Sequence, residues 1–99
     1  MYKVGDLVRI LPYQELTTLL GRTAYGDIRV PSGWNDYMTD YCGKSFVVES
    51  VHNRGDGDWF YYLDDTDGWS WDECVLDPAF TNFEEANPII TTSYDSLFS

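Results

Sequence analysis

The chain has 99 residues, of which 43% are hydrophobic and 17% aromatic, with 17 acidic side chains against six basic ones. A chain of this length has room for one small hydrophobic core, which excludes a two-lobed enzyme or a catalytic α/β barrel. No apolar run reaches the roughly 18 to 20 residues that cross a bilayer, and the first residues lack the pattern of a secretory signal. We therefore expect a cytoplasmic protein with no membrane partner.

The charge is unevenly distributed along the chain. Residues 1–54 contain all six bases and six acids, whereas residues 55–99 contain eleven acids and no base. Nucleic-acid binding depends on Lys and Arg side chains that displace counterions, so direct binding of DNA or RNA is not expected. An acidic half attracts a basic partner and speeds its encounter. The net charge of −11 would equally keep a small protein in solution without any binding role.

Alternating and apolar runs predict five short strands. They lie at Asp6–Leu11, Lys44–Val51, Trp59–Leu63, Trp69–Trp71 and Val75–Asp77. Turn-forming clusters at 53–58 and 64–68 make the middle strands into hairpins, and a tight 3₁₀-like turn at 72–74 precedes the last strand. Within Trp59–Leu63, alternation sends Trp59, Tyr61 and Leu63 to one face, and Phe60 and Tyr62 to the other.

A short helix is predicted at about 33–42, in the connection between the first two strands. Its large side chains recur at helical spacing, with Ser32 as N-cap and Gly43 as the stop: Trp34, Tyr37, Met38 and Tyr41. The segment 12–31 is expected to be a long, partly ordered connection, in which 15–20 could form one helical turn and 27–30 a short strand.

The order of several motifs along residues 3–78 resembles a known group of proteins. The motifs are Val4-Gly5-Asp6-Leu7, Cys42-Gly43-Lys44, Phe46-Val47-Val48, Tyr61-Tyr62-Leu63-Asp64 and Trp69-Ser70-Trp71-Asp72-Glu73. They are similar to SH3-like small barrels of the mind-bomb and KOW types, and to short proteins encoded by bacteriophages and prophages. The resemblance implies a mainly β, five-stranded SH3-like barrel at 1–78, with 12–43 as a long connection and 79–99 as a C-terminal tail, partly docked or mobile. It implies no reaction, because small barrels carry many unrelated functions.

Catalytic and metal-binding patterns are weak in this chain. The single histidine, His52, stands beside a turn and outside any nucleophile constellation, so we expect an exposed imidazole, no catalytic residue and no enzyme. Cys42 and Cys74 lack the close spacing of a metal site and are expected to be reduced thiols. The segment 65–68 fails as a calcium loop, because Cys74 falls where a bidentate Glu belongs. No metal and no cofactor are expected.

Aromatic and acidic residues alternate in the region that follows the first hairpin turn. Six of the seventeen aromatic residues lie between Trp59 and Trp71. A barrel this small cannot enclose both faces of such a strand, so we expect at least two large rings to stay partly exposed beside acidic turns. The predicted partner-binding residues are Trp59, Tyr61, Tyr62, Asp64, Asp65, Asp67, Trp69, Trp71, Asp72 and Glu73.

These features favour a non-enzymatic binding module, of phage type, that engages a basic protein surface or peptide through its acidic, aromatic C-terminal half. An alternative is a DNA-mimic inhibitor of a host nucleic-acid-binding defence protein, of the anti-CRISPR or anti-restriction type. Carboxylates on one strand face recur every ~6.8 Å, so a mimic needs acids in rows, whereas a peptide binder needs rings in a groove. A third option is a virion or structural accessory protein. The sequence indicates no oligomeric state.

Overall fold

A computed structural model of the chain describes residues 1–80. The predicted C-terminal tail, beyond its first two residues, lies outside that part. The described elements are strand β1 (Leu7–Arg9), helix α1 (Tyr13–Leu20), a first 3₁₀ helix (Asp36–Tyr41), strands β2 (Ser45–Asn53), β3 (Trp59–Leu63) and β4 (Ser70–Asp72), and a second 3₁₀ helix (Glu73–Val75). No helix within residues 1–80 combines the length and the hydrophobicity that crossing a membrane requires.

The four strands form one antiparallel sheet in the order β1-β2-β3-β4, so the mainly β prediction is confirmed. The expected fifth strand is represented, within residues 1–80, by one antiparallel bridge between Ile10 and Leu76. Two further backbone hydrogen bonds flank the bridge, from Leu11 N to Val75 O at 2.9 Å and from Asp77 N to Arg9 O at 2.8 Å. The sheet is therefore open and four-stranded, and a closed five-stranded barrel is not confirmed. Pro78 has no N–H with which to extend the pairing.

The connection between β1 and β2 contains more regular structure than the sequence predicted. The turn expected at 15–20 is an eight-residue α-helix, Tyr13–Leu20, which follows Pro12 and ends at Gly21 in a left-handed conformation with φ of 75°. The short helix expected at 33–42 is a 3₁₀ helix at Asp36–Tyr41. Its N-cap is Asn35, whose side chain accepts a hydrogen bond from Tyr37 N at 2.9 Å. Ser32 was expected as the N-cap, but it contacts Asp72 instead.

The hydrophobic core draws on both the sheet and this long connection. Its largest enclosed side chain is Trp71, which is 0% exposed and contacts the rings of Trp34 and Tyr41 edge-on at 6.0 and 5.8 Å. The other buried apolar residues are Val8, Ile10, Leu11, Leu16, Ile28, Met38, Val48, Tyr61, Leu63, Val75 and Leu76. Residues 12–43 therefore contribute four buried side chains to the core, Leu16, Ile28, Trp34 and Met38, and are an integral part of the fold.

The alternation predicted for β3 holds from Tyr61 to Leu63, whereas Trp59, which was expected on the same face as Tyr61, is only half-buried. Tyr61 and Leu63 are buried, whereas Phe60 and Tyr62 lie on the outer face and are only half-buried. On that outer face the His52 ring stacks on Phe60 at 5.2 Å and meets Tyr62 edge-on at 5.1 Å. His52 is exposed, as expected, but it lies within β2 and not in a loop.

Candidate functional site

The predicted partner-binding residues do not form one surface. Seven of the ten lie in two groups at opposite ends of β3, because its antiparallel neighbours pair Asn53 with Trp59 at one end and Val48 with Leu63 at the other. Tyr61, Tyr62 and Trp71 lie between these ends. At about 3.3 Å per residue, the five-residue strand separates the two ends by roughly 13 Å. We call residues 54–59 together with 72–74 the Trp59 end, and residues 64–69 the Asp64 end. The acidic residues of the C-terminal half, which were expected to form one binding surface, are thus divided between these two ends.

Tyr61 and Trp71 are core residues and do not contact solvent. Each is 0% exposed, so neither can touch a partner in this conformation. Asp72 is only 4% exposed. This corrects the expected contact set, which counted all three. The reason is that one face of β3 and the middle of β4 supply the large rings that fill the interior, since a small domain has few other residues for that purpose.

Asp72 is the centre of a polar network that fastens the long connection to the β2–β3 turn. Its carboxylate accepts hydrogen bonds from Ser32 N at 2.9 Å, from Ser32 Oγ at 2.8 Å and from the Arg54 guanidinium at 2.6 Å. Arg54 also donates to the Ser32 hydroxyl and lies over the Phe60 ring, 4.4 Å from its centroid. A buried carboxylate is tolerated when its oxygens are fully hydrogen-bonded and paired, and this one is.

At the Asp64 end, two of the three carboxylates serve the local structure. Asp64 Oδ1 accepts from Val47 N at 2.8 Å, and Asp64 N donates to Val47 O at 2.9 Å. Asp67 accepts a hydrogen bond from the Tyr41 hydroxyl, and this bond raises the pKa of the Tyr41 phenol. Asp65 and Asp67 have φ of 56° and 58°, a left-handed conformation that Asp tolerates better than most residues. Only Asp65 has no side-chain partner among residues 1–80.

Thr66 completes the structure of this turn from the inside. It is 1% exposed, and its hydroxyl donates to Leu63 O at 2.8 Å while accepting the indole N–H of Trp71 at 3.1 Å. One hydroxyl thus satisfies a turn carbonyl and the buried indole at the centre of the core. The choice of residues in the turn Asp64-Asp65-Thr66-Asp67-Gly68 can therefore be explained by the structure of the turn, without a binding role.

At the Trp59 end, a groove of about 490 Å³ opens beside the half-buried Trp59 ring. Its lining includes Met1, Asp58, Trp59, Asp72, Glu73 and Cys74. Asp58 and the neighbouring Asp56 are exposed, and neither makes a side-chain hydrogen bond or ion pair within the described part of the chain. Both belong to the acids that surround the aromatic cluster in the sequence, but neither was among the predicted partner-binding residues. That Asp56 and Asp58 lack such partners can be recognised only when the hydrogen bonds of the other acids are known.

Glu73, which also lines the groove, is held in place by the core. Its carboxylate accepts a hydrogen bond from the Tyr61 hydroxyl at 2.9 Å and lies 3.1 Å from the amino group of Met1. Tyr61 Oη in turn accepts from Tyr2 N at 3.0 Å. Burial, together with the hydrogen bond to Glu73, raises the pKa of Tyr61 to about 12. The buried Tyr61 thus fixes the position of the Glu73 carboxylate at the edge of the groove.

The described residues do not gather a group of three or more His, Cys, Asp or Glu side chains around a possible ion position. Cys42 and Cys74 are both free thiols, as predicted. Burial raises the pKa of the Cys42 thiol to about 11, so it is protonated at neutral pH. The arrangement offers aromatic surface and carboxylates for contact with a partner.

Comparison of the chain with protein-family models, curated proteins and solved structures found no match.

Proposed function

We propose that this protein is a non-enzymatic binding module that engages a basic protein surface or peptide through the groove at the Trp59 end. The observation that carries the proposal is that the half-buried Trp59 lines one groove together with Asp58 and Glu73. An aromatic ring flanked by carboxylates favours a cationic side chain, by cation–π contact with the ring and by attraction to the acids.

An internal contact supports the fit of a guanidinium to this end of the molecule. Arg54 already combines a carboxylate partner, Asp72, with the face of an aromatic ring, Phe60. An incoming Arg or Lys side chain would meet the same two chemical groups at Trp59 and Asp58. Asp58 is the better contact, because Asp72 is occupied by Arg54 and Ser32.

The proposal includes a small barrel of SH3-like type and a phage origin. The bridge between Ile10 and Leu76 supports the barrel, because it brings the segment after the second 3₁₀ helix beside β1. In SH3 domains an aromatic groove flanked by acids receives proline-rich, basic peptides. We accordingly place the partner's contacts in the groove and include Asp56 and Asp58 among them, with a cytoplasmic setting in the bacterial host.

The experiment is a titration with a short acetylated peptide of alternating arginine and proline, followed by Trp fluorescence and calorimetry. Its matched control is the same peptide with citrulline in place of arginine, which keeps length and shape but removes the charge. We expect the arginine peptide to bind and the citrulline peptide to bind at least tenfold more weakly. Trp59→Ala should weaken binding by about 2 kcal/mol or more, as anchoring aromatic residues do at interfaces.

A control on the other end of β3 makes the test specific. Asp58→Asn should weaken binding modestly, by less than about 1 kcal/mol, and the effect should shrink at high salt. Asp65→Asn removes an equally exposed carboxylate at the Asp64 end and should leave binding unchanged. Equal effects of the two substitutions would contradict a groove at the Trp59 end.

The DNA-mimic alternative gives the opposite pattern. For a mimic, binding falls steeply with salt and is indifferent to Trp59→Ala. Within residues 1–80 the exposed acids of this half lie in turns, and no strand presents a row of them. No specific observation therefore favours the mimic. The titration would indicate a mimic by steep salt dependence together with indifference to Trp59→Ala.

A further inference from the structure

Residues 21–30 of the long connection form a short hairpin. Its two sides meet in an antiparallel bridge between Arg22 and Ile28, and Thr23 N donates to Asp27 O across the turn at 2.7 Å. Ile28 is 1% exposed and joins the hairpin to the core, while Asp27, its one acid, is half-buried. The hairpin is thus held in one shape before any partner binds, which lowers the entropic cost of binding.

The turn of this hairpin presents an aromatic ring to solvent. Tyr25 is 92% exposed, the largest exposed fraction among the large hydrophobic side chains of residues 1–80. Its backbone N–H donates to Thr23 Oγ1 at 3.2 Å, so the conformation of the turn does not depend on the ring. A ring in this position contributes nothing to the core, and tyrosine is enriched among the residues that anchor protein interfaces.

Two exposed arginines of the hairpin lack a carboxylate partner. Arg22 lies over the Tyr13 ring, 5.7 Å from its centroid, and Arg29 donates to Arg22 O at 2.8 Å, but neither forms an ion pair within residues 1–80. The other two arginines, Arg9 and Arg54, each pair with an aspartate, at 2.5 and 2.6 Å. In a chain with 17 acids and six bases, two exposed arginines without an acid point to an acidic surface on a partner.

The groove at the Trp59 end has the complementary chemistry within the same chain. It combines the half-buried Trp59 with the carboxylates of Asp58 and Glu73. Pro31, which directly follows the hairpin, also lines the groove, so the base of the hairpin and the groove are neighbours on one surface. Two copies related by a two-fold axis can therefore each place a hairpin in the groove of the other. Such self-complementary contact is the pattern of a two-fold dimer.

We infer that a second copy of this chain is a partner of the groove, with Arg22 and Arg29 beside its carboxylates and Tyr25 against Trp59. The inference rests on the proposed function, because it uses the same groove and names the basic surface that the groove receives. Each copy carries a net charge of −11, so two copies repel each other at long range. At an ionic strength of about 0.15 M the screening length is about 8 Å, so the groups in contact decide whether the copies associate.

The test measures the mass of the full chain by analytical ultracentrifugation over a wide range of protein concentration, at about 0.15 M salt. We expect the mass to rise with concentration to that of two chains and to stop there. Tyr25→Ser, and separately the double variant Arg22→Gln with Arg29→Gln, should raise the dissociation constant at least about tenfold. Tyr37→Ser is the matched control, because it removes a ring that is 71% exposed but lies in the first 3₁₀ helix, and it should leave the dissociation constant unchanged.

A mixing experiment tests the reciprocal contact. Tyr25→Ser keeps the groove and Trp59→Ala keeps the hairpin, so each variant alone should be monomeric at concentrations where the parent is dimeric. In an equal mixture one intact groove meets one intact hairpin, and mixed dimers should form at concentrations where neither variant dimerises alone. The inference is overturned by a parent protein that stays monomeric, by equal effects of Tyr25→Ser and Tyr37→Ser, by dimers indifferent to Trp59→Ala, or by a mixture that gives no mixed dimer.

The arginine–proline peptide separates this inference from the proposed function. If the peptide binds at Trp59 and the parent protein does not dimerise, the second copy is wrong and the proposed function stands. If dimers form that depend on both Tyr25 and Trp59 but the peptide does not bind, the proposed recognition of basic peptides is wrong and the dimer stands. Where both hold, an excess of the peptide should displace the hairpin from the groove and return the dimers to monomers.

Discussion

The two turns that flank β3 are similar in composition but use their carboxylates in different ways. At the Asp64 end, Asp64 bonds to the backbone of β2 and Asp67 bonds to Tyr41, so the charges help to shape the turn. At the Trp59 end, Asp56 and Asp58 make no side-chain hydrogen bond or ion pair within residues 1–80, and Asp58 lines an open groove. Acidic composition alone therefore does not mark a binding surface. What distinguishes the Trp59 end is that an acid without a side-chain partner among residues 1–80, Asp58, lines a groove together with a half-buried aromatic ring, Trp59.

The difference extends to the residues behind each turn. The Asp64 end is stabilised by a neutral hydroxyl, Thr66, that joins a turn carbonyl to the Trp71 indole. The Trp59 end is stabilised by an ion pair, Arg54 with Asp72, which ties the turn to Ser32 in the long connection. Substitutions at the two ends should accordingly change stability and binding in different proportions.

The largest effect is expected from Asp72→Ala. This change leaves the partly exposed Arg54 guanidinium and the Ser32 N–H without their acceptor, and losing the hydrogen bonds to this buried carboxylate costs about 3 kcal/mol. The measurement is the free energy of unfolding in urea. Arg54→Met is the companion variant, since it removes the cation but keeps much of the side chain over Phe60. A loss below about 1 kcal/mol for Asp72→Ala would mean that the network does not hold this end together.

A fall in stability at alkaline pH should identify Tyr61 as the support of Glu73. Burial, with the Glu73 hydrogen bond, raises the pKa of Tyr61 from the ordinary tyrosine value of 10.0 to about 12. Between the ordinary tyrosine pKa of 10.0 and the raised value of about 12, the unfolded chain loses the phenolic proton and the folded chain keeps it, so stability is complete below pH 10 and falls as the pH rises toward 12. The loss due to this group is roughly 2 kcal/mol.

Urea unfolding at several pH values checks this expectation, with Tyr61→Phe as the control. The variant keeps the ring but has no proton to lose, so its stability should fall less steeply between pH 10 and 12. Tyr2 and Tyr41, whose pKa values are also raised, contribute in the same direction and are unchanged in the variant. Identical slopes for the two proteins would exclude Tyr61 as the titrating group.

Much of the sheet could be predicted from the sequence, because it depends on local patterns. The alternation in Trp59–Leu63 and the glycine-rich turn before it give β2 and β3 directly. Helix α1 could not be predicted with its full length, since Thr17 and Thr18 are weak helix formers, and its position depends on Leu16 packing into the core.

The candidate site was harder to predict than the fold. Sequence position shows that residues 55–99 are acidic, but it does not show which carboxylates accept backbone N–H groups. Asp64 and Asp72 are matched to Val47 and Ser32, which are 17 and 40 residues away in the chain. One correction was within reach of the sequence, since the turns before and after a single strand must lie at its opposite ends.

The internal support of the Asp64 end can be removed by Thr66→Val. Valine has a similar shape but no hydroxyl, so the buried Trp71 indole loses its acceptor and Leu63 O loses its donor. We expect a loss of about 1 to 2 kcal/mol in the free energy of unfolding, in the range for an unsatisfied buried group. Thr66→Ser keeps the hydroxyl and should recover most of the loss. Binding of the arginine–proline peptide at the Trp59 end should be unaffected in both variants.

The smallest effects are expected from removing one carboxylate charge at each end, and they compare the two ends most directly. Asp64→Asn keeps a side-chain oxygen that can accept from Val47 N but loses the charge, and we expect it to lower stability by about 1 kcal/mol without changing peptide binding. Asp58→Asn should leave stability within about 0.5 kcal/mol of the parent, because the side chain has no partner among residues 1–80, and should weaken peptide binding. Thermal unfolding and the arginine–proline titration, carried out on both variants, measure the two quantities side by side. If Asp64→Asn were to weaken binding as much as Asp58→Asn, the partner would contact both ends of β3, and recognition would extend over the whole length of the strand.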